Sequence, residues 1–201
     1  MTGRELILHD LGEAEAGAYL PAPGPGLTLF PALPRVRHCL GCFGCWVRTP
    51  GRCVINDRGA DFAPLMARHD RLTIVSRLVF GGLSGPVKAI VDRSIGFILP
   101  FFDDRGGRMF HRRRYPASPG LRYFFHGPRF GSNLETAGRL AQANRLNFMA
   151  GSCEVAHFPD LAGLGEALAG PRAAPGGPGG ALEGGRGLMA SGGFSITGGL
   201  G

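Results

Sequence analysis

Four of the chain's five cysteines fall between residues 39 and 53, in the order Cys39-Leu-Gly-Cys42-Phe-Gly-Cys45-Trp-Val-Arg-Thr-Pro-Gly-Arg-Cys53. The spacing is C-x2-C-x2-C-x7-C. Two-residue gaps let successive thiolates turn toward one centre, and Gly41 and Gly44 supply the backbone freedom such turns need. A fourth thiolate after the Thr-Pro-Gly turn can close the site. Iron–sulfur clusters are held by four thiolates in similarly compact runs. A structural zinc site is the nearest competitor, although zinc more often takes two separated ligand pairs. A redox-active Cys-x-x-Cys pair is a third reading. Inert cysteines are the bland one, and the crowding of four into one short segment argues against it. Cys153 stands apart beside a strand and reads as a core residue.

The elements that must position this segment follow from hydrophobic patterning. Strands are expected at Glu5–His9, Leu27–Phe30, Arg71–Ser76, Leu121–Phe125 and Glu154–Phe158, each short and rich in β-branched or aromatic residues. The run Arg71–Ser76 is nearly continuous in apolar residues, as in a strand buried on both faces. Helical patterns lie between them at 11–20, 62–68, 87–98, 134–149 and 161–168. Ser84 is the expected N-cap of the helix whose apolar positions are Val87, Ile90, Val91, Ile95 and Ile98, with Pro86 in its first turn. Strands alternating with helices imply an α/β fold: a doubly wound, five-stranded parallel sheet of order 2-1-3-4-5 with helices on both faces. Ligands in this architecture bind at the carboxyl ends of the strands. The loop after the third strand, Ser76, Arg77 and onward through Phe80-Gly81-Gly82-Leu83-Ser84, is therefore the first place to expect a cofactor. His126 ends the fourth strand on the same edge, where it can meet a flavin or nicotinamide or serve structure alone.

Length and composition set the outer limits. The 201 residues suit one domain of 1–170, carrying the cysteine-rich loop 39–53, plus a tail of 171–201. That tail holds 12 of the 35 glycines and is expected to be disordered. The formal net charge is +7. Its arginines are scattered, apart from His111-Arg112-Arg113-Arg114, and no nucleic-acid-binding motif accompanies them, so nucleic acid is not the expected partner. No stretch approaches the roughly 18 apolar residues of a membrane span. The opening residues lack the pattern of a signal peptide, so a cytoplasmic location is expected. Disulfides are disfavoured there, which favours metal or redox chemistry at the clustered thiols. The insert 103–119 reads most simply as a mobile surface loop. Lys88 and Arg93 are candidates to face an anion or to pair with nearby acids.

Two segments carry a family resemblance: Cys39–Cys53 with the following Asn56-Asp57, and Ser76–Arg93 with Phe80-Gly-Gly-Leu-Ser-Gly-Pro-Val-Lys88 and Ile90-Val-Asp92-Arg93. Together with the strand pattern the chain resembles the flavodoxin-like iron–sulfur flavoprotein and NADPH-dependent FMN reductase group over residues 5 to about 160. The resemblance implies an FMN-dependent redox protein. That means either an NAD(P)H oxidoreductase or an electron-transfer protein serving a small-molecule or protein acceptor, in a homodimer or higher oligomer. It implies a [4Fe–4S] cluster on Cys39, Cys42, Cys45 and Cys53, and a flavin ring lined by Arg77 to Ser84. One departure stands out. The group carries a small-residue phosphate loop after the first strand, whereas here His9-Asp10-Leu-Gly12-Glu13 places carboxylates that would repel a phosphate. The alternative is a degenerate, non-catalytic metal-binding module that acts through dimerisation.

Overall fold

The computed structural model describes residues 3–170. The tail 171–201, with its expected disorder, lies outside the described residues. Strands β1 (Glu5–His9), β2 (Leu27–Pro31) and β3 (Arg71–Arg77) pair in parallel, with β1 between the other two. Strands β4 (Ile98–Asp104) and β5 (Met109–Arg113) form a separate antiparallel ribbon. Strands β6 (Gly120–His126) and β7 (Cys153–Phe158) complete the main sheet, whose order is β2-β1-β3-β6-β7. Counting main-sheet strands alone, this is the expected order 2-1-3-4-5, a flavodoxin-like doubly wound sheet.

Both faces of the sheet are buried, which is why β1, β3 and β6 are rich in apolar residues with few polar interruptions, such as Thr73 and Arg122. Successive side chains point to opposite faces. Leu6, Leu8, Leu72, Ile74, Leu121, Tyr123 and Phe125 enter one core with Phe62, Val87, Ile90 and Ala137. These last come from helices α3 (Phe62–Met66), α4 (Gly85–Arg93) and α5 (Asn133–Asn147). Ile7, Val75 and Phe124 enter the other core with Leu164 and Leu168, beneath α1 (Glu13–Tyr19) and α6 (Leu161–Ala169). The short α2 (Gly44–Val47) belongs to the cysteine segment.

Two expected elements differ. The helix expected to reach Ile98 ends at Arg93 and tightens into a 3-10 turn over Ser94–Phe97. Ser94 Oγ donates to the Val91 carbonyl at 2.6 Å, the Ile95 carbonyl accepts from the Ile98 amide three residues on, and the carbonyls of Ile95, Gly96 and Ile98 also accept from the Trp46 and Arg114 side chains. The insert expected as a surface loop contributes to the β4–β5 ribbon instead. Its turn places Gly106 and Gly107 at φ of 64° and 80°, and His111 Nδ1 bonds the Leu99 carbonyl at 2.7 Å across the ribbon.

Candidate functional site

The cysteine segment is a chain of tight turns tied to the end of α4. Gly41 and Phe43 take positive φ, of 62° and 52°, which aim the segment back on itself ahead of α2. Gly44 is required on space alone: a Cβ there would meet Val54 Cγ1 at 2.5 Å. Trp46 points inward and donates its indole N–H to the carbonyls of Ile95 and Ile98, at 3.1 and 2.9 Å. Its ring stacks on Phe43 and tilts against His111. The Gly51 amide donates to the Cys45 carbonyl and the Cys53 amide to the Ala60 carbonyl. These bonds fold residues 45–53 into a closed loop.

All four thiols line one cavity of about 60 Å³, together with Leu40, Phe43, Val54, Ile55, Arg93 and Ile95. Cys45 and Cys53 are buried at its base, while Cys39 and Cys42 are exposed. Burial pushes the Cys45 thiol up, and neighbouring Cys53, Cys39 and Cys42 shift it the same way. The other three thiols thus act on Cys45. Among the described residues, no three His, Cys, Asp or Glu side chains gather tightly enough to hold a single ion. A tetrahedral zinc needs its sulfurs about 2.3 Å from one point, whereas a cube of irons and sulfides holds them farther apart around a larger volume. The donor set, all thiols about a shared cavity with N–H groups aimed at two sulfurs, fits a cluster. Those donors are the Gly41 amide to Cys39 Sγ at 3.5 Å and Arg93 Nε to Cys53 Sγ at 3.4 Å. Cys153 is remote from this cavity, and burial pushes its thiol up to about 11.

The carboxyl edge of the sheet is built differently. Ser76 is fully buried, and its Oγ accepts from the Ser84 amide at 2.9 Å, closing the loop 76–84. Phe80 stands out from that loop almost fully exposed at φ 48°, and Gly81 follows at φ 78° against Thr136. Gly82 and Val79 exchange backbone hydrogen bonds, and Leu83 is buried in the core. Ser84 holds the N-cap position of α4 with Pro86 in its first turn, but its side chain makes no capping hydrogen bond. His126 Nε2 bonds Asp10 Oδ1 at 3.0 Å, and Asp10 Oδ2 accepts from the Arg77 amide at 2.9 Å. Burial would raise the Asp10 carboxyl. The hydrogen bond from His126, the nearby Ser84 hydroxyl and the Arg77 amide outweigh that and hold it below its ordinary range.

This edge does not fit a flavin phosphate. Asp10, with its side chain only 7% exposed, already fills the place where three crossovers converge. The Gly12 amide at the start of α1, a helix of only 7 residues, donates to Glu15 Oε2 at 3.0 Å. A phosphate there would displace one carboxylate and face another. Each pair of like unit charges 4 Å apart costs about 4 kcal/mol at an effective dielectric near 20. Residues 76–84 and 126 therefore share an edge where the His126 ring and the Arg77 amide are engaged with Asp10, while the four cysteines line a separate cavity. Lys88 pairs with Asp92 at 2.6 Å on the surface of α4. The sequence named Asp10 and Asp57 but not their partners, and it did not single out the buried bond from Thr73 Oγ1 to Glu5 Oε1 at 2.5 Å.

No family model and no curated protein matches the chain. Among solved structures, it is similar to Smu.1420 from Streptococcus mutans UA159, at a TM-score of 0.54 and 9% identity, over 82% of this chain and 98% of that one. It also aligns with a metal-soaked Flv1 flavodiiron core from Synechocystis sp. PCC6803, at a TM-score of 0.38 and 8% identity, over 83% of this chain and 34% of that one. Identities this low speak to fold alone. No helix among the described residues is long and apolar enough to cross a membrane.

Proposed function

We propose that this protein is a flavodoxin-like redox protein that moves electrons through a [4Fe–4S] cluster held by Cys39, Cys42, Cys45 and Cys53. The observation that carries this reading is the single cavity lined by all four thiols. When bound, such a cluster takes up and releases one electron at a time. The chain supplies the rest. Cys45 and Cys53 would anchor the inner side and Cys39 and Cys42 the solvent side, with Val54, Ile55 and Ile95 beside them and exposed Leu40 and Phe43 at the mouth. The exposed mouth is where a protein or small-molecule electron partner would approach. No catalytic side chain is assigned.

The test is an absorption spectrum of anaerobically purified protein, with iron, sulfide, zinc and flavin assayed on the same sample. Iron and sulfide in equal amounts, with no flavin, is the expected result. A colourless protein that stays colourless after cluster reconstitution would overturn the reading. FMN titrated into the same sample should show no saturable quenching of its fluorescence, because Asp10 and Glu15 hold the anion positions.

A second reading is a non-catalytic module that acts by self-association. Three large apolar side chains favour it: Leu40, Phe43 and Val47 are exposed around the cysteine segment. A monomer by light scattering across a concentration series would remove it.

A further inference from the structure

Arg93 is the one fully buried arginine among the described residues: its side chain has no exposed surface. Burying a guanidinium is costly unless its charge and its donors are satisfied. Here they are satisfied by the cysteine segment. Nε donates to Cys53 Sγ at 3.4 Å, Nη2 to the Ile55 carbonyl at 2.9 Å, and Nη1 to the Arg37 carbonyl at 3.2 Å. Nη1 also meets both Asp57 oxygens, at 2.6 and 2.7 Å. Asp57 in turn accepts from the Arg37 and Gly59 amides. Burial would raise the Asp57 carboxyl, but these partners, Arg93 first, hold it below its ordinary range. Arg37 lies two residues before the first cysteine, and Ile55 two after the last. One planar fork from α4 therefore clasps both ends of the segment and touches a thiol between them. A compact ammonium cannot span these partners.

Resting on the cluster reading above, we propose that Arg93 is the positioning residue of the cysteine centre. Its guanidinium fixes Cys53 relative to Cys39 and raises the centre's reduction potential. The sign follows from charge. Reduction adds one electron and no proton, so the site becomes more negative. The guanidinium charge is balanced by the Asp57 carboxylate at 2.6 Å, so the Nε–H dipole aimed at the ligating sulfur, which a lysine does not reproduce, is what favours that state.

The experiment compares wild type, Arg93→Lys and Arg93→Met. Iron and sulfide per chain are measured first. Midpoint potentials then come from anaerobic titration with dithionite as the reductant. Separately, the metal-free chains, checked as folded by circular dichroism, are alkylated with iodoacetamide, and Cys53 is followed by mass spectrometry. We expect Arg93→Lys to keep its cluster at a more negative potential, and Arg93→Met to shift further or to lose the cluster. Cys53, which is 8% exposed, should be alkylated several-fold faster in both variants. A fully loaded Arg93→Lys with the wild-type potential would overturn the electrostatic half, and unchanged alkylation in both variants the positioning half. If wild type itself takes up no iron or sulfide, the cluster reading falls and the potential argument with it. The alkylation comparison then still decides whether Arg93 holds Cys53. Should Arg93→Met fail to fold, Arg93→Lys alone decides both halves.

Discussion

The carboxyl edge of the sheet and the cysteine segment both lie where this fold exposes loops, yet they treat their polar groups in opposite ways. At the edge the strong groups are spent on one another: Asp10 takes His126 and the Arg77 amide, Ser76 takes the Ser84 amide, and Glu15 takes the Gly12 amide. At the segment the strong groups, Arg93 and Asp57, serve to hold the backbone, and four thiols are left around a cavity. Thiols are weak donors and weak acceptors, so they gain little from facing one another. Weak hydrogen-bonders kept together and braced by an ion pair with a buried arginine suit the ligation proposed above. A site that pairs off its strong ones is organised for stability.

The contrast breaks most sharply at the proposed ligands. Cys45→Ser or Cys53→Ser should abolish the iron and sulfide content of reconstituted protein, since a buried hydroxyl is a poor substitute for thiolate. The fold should survive, with a far-ultraviolet circular dichroism spectrum like that of wild type. Retention of full iron and sulfide in both variants would show that these sulfurs are not ligands. Asp10→Asn should leave cluster content untouched, because the edge and the segment do not share partners.

The next effect lies in the backbone of the segment. Gly44→Ala puts a methyl where Val54 Cγ1 stands 2.5 Å away. Relief requires α2 or Val54 to move, and overpacking of this kind costs about 1–3 kcal/mol. Thermal unfolding should report a lower midpoint, and cluster uptake should weaken with it. A midpoint equal to that of wild type would mean that Val54 yields freely and that the segment is looser than its contacts imply. Trp46→Phe is a milder probe of the same region. It keeps the ring on Phe43 but removes the donor shared by the Ile95 and Ile98 carbonyls, of which Ile95 keeps the Ile98 amide, so the loss should be about 1 kcal/mol. Denaturant titration at neutral pH measures it.

How much of this was legible depends on whether the signal was local. Strands β1, β3 and β6 were readable because both of their faces are buried, so apolar residues dominate each short run and no partner need be known. The cysteines were readable for the same reason: their spacing lies within fifteen residues. The end of α4 was not. Val87 through Ile98 keep helical spacing, but Ile95 and Ile98 give their carbonyls to Trp46, about 50 residues earlier in the chain. The β4–β5 ribbon was hidden because Pro100 and the Gly106-Gly107 turn interrupt any alternation. Arg93 was legible as a residue that faces an anion, but not that its partners would be Asp57 and a cysteine sulfur. The acidic loop after β1 was visible as an obstacle to phosphate. That Asp10 would bond His126, 116 residues away, has no sequence signal.

The smallest expected effect sharpens the comparison from the side of the edge. Asp10 is held below its ordinary value of 3.8 in the folded chain. A group whose folded pKa is depressed contributes stability that is fully present above its unfolded pKa and is lost as pH falls through the folded value. Wild type should therefore lose the Asp10 contribution only in acid, beginning near pH 4 and continuing below it. Asp10→Asn removes the charge at every pH. At pH 7 the variant should be less stable, by about 1–3 kcal/mol for a buried, charge-assisted pair of hydrogen bonds. Between pH 5 and pH 3 the two denaturation midpoints should converge, because only the wild-type carboxylate has a proton to take up there. If the gap between them stays constant over that range, the carboxylate is not held by His126 and Arg77 as a charge. The edge would then be free to accept an anion from outside, and its difference from the cysteine segment would rest on geometry rather than on electrostatics.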